Sequence, residues 1–195
     1  MDGSGTPRSY AEWLKTEGGI EHPTHWETLH KPEQVARIEW LKRACNGVTN
    51  ILDLGCNWGY VLNELRGTTG MDINPENIEK AKREFPSRHW MVGDITKDMG
   101  QFGHDSYAIV VLADVLEHLT KEDIIGVLDE VLRISRRKVL ITLPKRQTDD
   151  CAYCFKHAWV PDWDYVGWLV AFIAQSAKVI LESDDYFFYM EVIKC

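Results

Sequence analysis

Between Asn50 and Leu143 the chain alternates short apolar runs with longer stretches in which apolar residues return every three or four positions. The short runs read as strands and the three-to-four spacing as amphipathic helix. Strands are expected at about 50–54, 68–72, 89–92, 107–112 and 137–143, and helices at about 58–65, 75–84 and 121–134. Asn74-Pro75 and Thr120, with Asp123 three positions on, have the chemistry of helix starts. Strands that alternate with helices require a parallel sheet with helices on both faces.

The flanks differ. Upstream, Pro32 opens a predicted helix to about Asn46, with Val35, Ile38, Leu41 and Ala44 at helical spacing and Gly47 behind it. Tyr10 to Thr16 has the pattern of a short amphipathic helix, while 20–31 lacks a period and concentrates His22, His25, Trp26 and His30. Downstream, Pro144 stops the fifth strand, 145–162 is irregular, and Trp163 to Ser176 reads as a mostly apolar helix. Ala177 to Glu182 and Tyr186 to Ile193 are β-rich and joined by Ser183-Asp184-Asp185, so a hairpin is expected. The chain reads as one domain, 1–195: an N-terminal helical lid over 1–47 and a core over 48–195 with the 145–162 insert.

Candidate chemistry gathers at the strand ends. The first strand runs through Asp53 into Gly55-Cys56-Asn57-Trp58-Gly59 and then a helix start. Glycines there let the backbone approach a ligand closely, and a helix N-terminus presents unpaired N–H groups. Nineteen residues after Asp53, Asp72 tips the second strand ahead of Ile73, placed to accept ribose hydroxyls. Asp94, before Ile95, tips the third, and Asp114, after Ala113, tips the fourth. Acids along one edge of a parallel sheet suit a ligand that carries ribose, amine and adenine N–H donors.

On these residues the chain resembles the class I S-adenosylmethionine-dependent methyltransferases, strongly over about 51–144 and loosely beyond. The resemblance implies a doubly wound, mostly parallel seven-stranded α/β sheet, Rossmann-like, closed by an antiparallel hairpin. It implies S-adenosylmethionine as cofactor, with Asp53, Gly55, Cys56, Asn57 and Gly59 around its methionine part. It further implies Asp72 with Ile73 at the ribose, Asp94 with Ile95 at the adenine, and Ala113 with Asp114 beside the amino-acid end. Asn57 stands where the family's commonest turn has Gly. The run Asp114-Val-Leu-Glu-His118-Leu is similar to the branch that methylates small molecules.

Size and composition agree with a globular domain: 195 residues, 45% apolar and 27% charged. The formal net charge of −8 argues against nucleic acid as partner. The one tight basic cluster, Arg133, Arg136, Arg137 and Lys138, is expected at a helix C-terminus, where cations favour the dipole. No stretch approaches 18 apolar residues, so no membrane span is expected. Five cysteines fit a reducing compartment, and the expected location is cytoplasmic.

Methyl transfer from a sulfonium needs alignment of the nucleophile, and a base where the acceptor holds its proton near neutral pH. His118 at the sheet edge, with His25 and His157 from the lid and the insert, are the candidate bases. The bland reading of His118 is a capping or packing residue beside Glu117. Cys151, Cys154 and His157 lack a fourth ligand at matching spacing, so no metal site is assigned. Of eight tryptophans, Trp40, Trp90 and Trp168 are expected in the core. Trp13, Trp26, Trp58, Trp159 and Trp163 are expected near the ligand edge, where one or two could wall an acceptor pocket. Lys145 and Arg146 could attract an anionic acceptor or be solvated charge. The leading expectation is O- or N-methylation of a small molecule. The alternatives are a nucleic-acid or protein methyltransferase and a non-catalytic member that serves a partner, with a dinucleotide dehydrogenase more distant. The sequence does not specify the oligomeric state.

Overall fold

The computed structural model describes residues 31–145 and 161–194. It contains α1 (Pro32–Cys45), β1 (Ile51–Leu54), α2 (Tyr60–Glu64), β2 (Thr69–Asp72), α3 (Pro75–Glu84), β3 (His89–Val92), β4 (Tyr107–Ala113), α4 (Lys121–Ile134), β5 (Ser135–Pro144), α5 (Trp163–Ile173), β6 (Ala177–Ser183) and β7 (Phe187–Lys194). The seven strands form one sheet in the order β3-β2-β1-β4-β5-β7-β6. Strands β1 to β5 pair in parallel, while β7 runs antiparallel to both β5 and β6.

Period-two alternation divides the core between the two faces. Leu52 and Leu54 pack with Val110, Leu112, α4 and α5, whereas Ile51 packs with Ile109, Val111, α1 and α3. Helix α4 buries Ile124, Val127, Leu128, Val131 and Ile134 on one stripe, each worth roughly 2 kcal/mol of apolar burial. Its Thr120 cap holds as expected: the hydroxyl accepts from the Asp123 amide at 3.2 Å and donates to the Asp123 carboxylate at 2.8 Å.

Three expectations change. Helix α2 begins at Tyr60 rather than Trp58, because Asn57 (φ 49°) and Gly59 (φ 81°) are left-handed and cannot start a helix. The basic cluster does not lie together at a helix end: only Arg133 does, on Glu130 and the Phe102 carbonyl. Ser135 leaves α4 with extended backbone and pairs at once with Tyr107, so Arg136, Arg137 and Lys138 belong to β5. Lys138 does meet a helix C-terminus, but that of α1, through the Ala44 carbonyl at 2.9 Å. Finally, Trp40 and Trp90 are core residues, but Trp168 is only half-buried, lying edge-on to Tyr165 and stacked on Phe172.

Candidate active site

In this strand order the chain reverses direction across the sheet between β1 and β4, and such a switch point is where open α/β sheets bind ligands. Asp53 and Asp114 flank it.

The glycine turn after β1 is built by backbone bonds to β2. The Gly55 and Cys56 amides both donate to the Met71 carbonyl, at 2.8 and 3.0 Å. The Asn57 amide donates to Asp72 at 2.8 Å. Asn57 is left-handed, as asparagine tolerates, and its side-chain oxygen accepts from the Trp58 amide at 2.8 Å. Gly59 cannot be replaced so easily. A Cβ there would sit 2.2 Å from the Trp90 ring, and one on Gly55 would sit 2.6 Å from Val115. The Cys56 side chain is buried between Gly70 and the core, so only its backbone borders the turn.

Asp72 is buried and well bonded: besides Asn57 it accepts from the Asn74 amide at 2.9 Å and from the Asn77 side chain at 3.2 Å. Burial raises its carboxyl above the usual range, against the pull of those donors. Ile73 beside it is half-buried. Trp58 donates to Asn77 at 2.9 Å and carries the Lys80 ammonium 3.1 Å from its ring centre.

Asp94 turns into its own loop. It accepts from the Thr96 amide and hydroxyl and pairs with Lys97 at 2.6 Å. Although burial opposes it, these partners hold its carboxyl below the usual range. Ile95 lines a cavity of about 440 Å³ with Met99, Gly100 and Val127, between this loop and α4.

The third group lies at the tip of β4, where Ala113 is half-buried and Asp114 is left-handed (φ 58°). Asp114 accepts from the Thr142 hydroxyl at 2.7 Å and forms an ion pair with Arg37 of α1. Asp53 (1% exposed) shares the α1 face, and one of its oxygens has no hydrogen-bond partner. Burial, with Asp72 adding and Arg37 opposing, pushes its carboxyl up to about 7. Glu117 is fully buried in the turn Leu116–His118, and neither oxygen has a hydrogen-bond partner in another residue. Burial and the Asp114 charge raise its carboxyl well above the usual range.

The structure therefore gathers Asp53, Asp72 and Asp114 around the glycine turn, with His118 half-buried next to Glu117, and turns the Asp94 side chain aside. His25 and His157 lie outside the described residues, as do Trp13, Trp26, Trp159, Arg146 and the Cys151/Cys154 pair. Lys145 bonds the Asp184 carbonyl and sits 4.8 Å from the Phe188 ring centre, and Trp163 is 62% exposed. Among the described residues no group of acids, histidines or cysteines could hold a metal ion. None of their helices is long and apolar enough to cross a membrane.

Two residues of this site were not foreseen, Arg37 and Glu117. Arg37 had a visible signal: it stands four residues before Leu41, on the stripe that also carries Ile38 and Cys45, and a charge on an apolar stripe needs a partner.

The model of the methyltransferase domain family matches residues 51–138. No curated protein matches the chain. The N-methyltransferase NodS of Bradyrhizobium japonicum WM9, in complex with S-adenosyl-L-homocysteine, has the same fold with a TM-score of 0.70 at 17% identity, over 93% of this chain and 97% of that one. Magnesium protoporphyrin IX methyltransferase (ChlM) of Synechocystis PCC 6803, with bound S-adenosylhomocysteine, gives 0.62 at 14% identity over 83% and 81%. A TehB-like S-adenosylmethionine-dependent methyltransferase of Corynebacterium glutamicum gives 0.58 at 18% identity over 84% and 95%.

Proposed function

We propose that this class I S-adenosylmethionine-dependent methyltransferase transfers its methyl group to an oxygen or nitrogen of a small molecule. One observation carries the reading of the site: a glycine turn and three buried or half-buried strand-tip acids, Asp53, Asp72 and Asp114, converge on the switch point of the sheet. The residues suit the cofactor. Gly55 and Gly59 leave no room for a side chain, and the buried, unpartnered oxygen of Asp53 awaits a donor.

When bound, S-adenosylmethionine supplies a methyl group on a positively charged sulfur, an electrophile that needs little further activation. The chain's part is placement. We assign the Gly55 to Gly59 turn to the methionine part, Asp72 with Ile73 to the ribose hydroxyls, Asp94 with Ile95 to the adenine edge, and Ala113 with Asp114 to the amino-acid end. Held by these residues, the cofactor would offer its methyl carbon in line with the acceptor's lone pair, and its sulfur would keep the electron pair of the broken bond. Any proton on the acceptor passes to a base, for which His118 is the described candidate and His25 and His157 the others.

Two observations support a small acceptor. The net charge of −8 disfavours a polyanionic substrate, and the fold neighbours include a magnesium protoporphyrin IX methyltransferase. Isothermal titration with S-adenosylmethionine and S-adenosylhomocysteine tests the cofactor; no heat and no thermal shift at millimolar ligand would overturn it. Incubation with methyl-labelled cofactor and a cell extract tests the acceptor, since label should enter the low-molecular-mass fraction rather than protein or nucleic acid.

A further inference from the structure

Among the described residues β6 has a neighbouring strand on one side only, because the sheet ends in the order β5-β7-β6. Its other side presents a row of backbone N–H and C=O groups that can template a further strand. Protein edges are commonly blunted by shortness, a bulge or a proline. This one pairs all seven of its residues with β7 without a register shift, and it contains neither proline nor glycine. Ile180 and Leu181 are 37% and 36% exposed. Lys178 and Glu182 are exposed too, and neither has an ion-pair partner among the described residues.

We propose that β6 is the contact of a homodimer, in which two copies of the chain pair β6 with β6, antiparallel, about a two-fold axis through Ile180. The alternation of an antiparallel ladder requires such an axis to pass through a residue rather than between two. Ile180 is the midpoint of the strand, so this axis overlaps all of it: Ala177 meets Ser183, Lys178 meets Glu182, Val179 meets Leu181, and Ile180 meets itself. The same register forms two Lys178–Glu182 pairs. An axis moved to Val179 or Leu181 sets a charge opposite Ile180 instead, so the charges select the register of full overlap.

Helix α5 agrees with this arrangement. The Lys121 ammonium of α4 lies 5.4 Å from the Trp168 ring centre, so the opposite flank of α5, with Gly167, Val170 and the following Ala174, turns toward the free edge of β6. A Cβ on Gly167 would meet nothing within 4 Å, so packing within the chain does not call for a glycine in this helix. A second α5, on the same face of the joined sheet across the axis, supplies the reason. Strand β6 runs parallel to β1, so the two copies carry their switch points at opposite ends of the joined sheet.

Sedimentation of the full chain tests this. Wild type should have twice the mass of one chain at about 10–100 μM. Lys178→Glu and Glu182→Lys each set like charges opposite one another twice, and each should weaken the dimer about tenfold or more. Two remedies should restore it to within about threefold of wild type: both changes in one chain, and an equimolar mixture of the two single variants. A wild-type chain that stays monomeric at about 100 μM, or that grows beyond two copies, overturns the proposal. So does a dimer that the single variants leave intact or that the paired reversal fails to restore. A monomer whose β6 amides already exchange slowly has its edge covered from within its own chain, and that result overturns the proposal as well.

Discussion

Arg37 and Asp114, 77 residues apart in sequence, meet as a buried ion pair that ties α1 to the tip of β4. The guanidinium also lies over the Phe187 ring at 5.5 Å, which fixes its approach from the α1 face. Removing one partner of a buried pair strands the other charge, and here Asp53 and Glu117 depend on the same cation. Arg37→Met should therefore lower the unfolding free energy by about 3 kcal/mol. Adding Asp114→Asn should return part of it, because the stranded charge is gone. Urea denaturation of the two single variants and the double variant measures the coupling.

The indole of Trp90 roofs two glycines, Gly59 and Gly70. A Cβ on either would stand within 2.5 Å of its ring, at 2.2 and 2.4 Å, but only Gly59 also has a left-handed backbone. Both alanine variants should lose roughly 2–3 kcal/mol. In a Trp90→Leu background Gly70→Ala should recover more than Gly59→Ala, since trimming the ring relieves a clash and not a φ of 81°. Equal recovery in urea unfolding would show that the turn after β1 carries no backbone strain.

Asp53 makes stability depend on pH in a defined direction. Its carboxyl stands at about 7 when folded against 3.8 as the ordinary value, chiefly through burial. Between those limits the folded chain holds a proton that the unfolded chain has released, so stability falls as pH rises from about 4 to about 7 and then levels. Relative to Asp53→Asn, wild type should be more stable at pH 4.5 than at pH 7.5. Arrival of the cofactor's cationic groups should ionise this carboxyl, so S-adenosylmethionine binding near pH 6.5 should release protons. Titration in two buffers of different ionisation enthalpy detects this.

Lys138 joins three elements: from β5 it donates to the Ala44 carbonyl on α1 at 2.9 Å and pairs with Glu191 on β7 at 2.5 Å. Lys138→Met should cost about 2 kcal/mol, because it leaves a partly buried carboxylate and an orphan helix-end carbonyl. Amide exchange should quicken in the last turn of α1 before it quickens in β4. Unchanged protection of α1 would mean that the Ile38, Trp40 and Leu41 contacts hold the helix without this bond.

The sequence by itself determined the alternation of strand and helix, the Thr120 cap, the closing hairpin and the position of each strand-tip acid. These rest on periodicity, capping chemistry and turn residues, which act over a few neighbours. Only the tertiary structure decided what the acids face. Asp72 receives the amide of Asn57, Asp94 is taken by Thr96 and Lys97, and Asp114 receives a cation from the far end of the described chain. Likewise β5 could claim Ser135 and the arginines only once β4 and β7 lay beside it. The physical reason is range. Hydrophobic spacing specifies which face of an element is buried, whereas the partner of a buried charge is set by whichever distant element packs against that face.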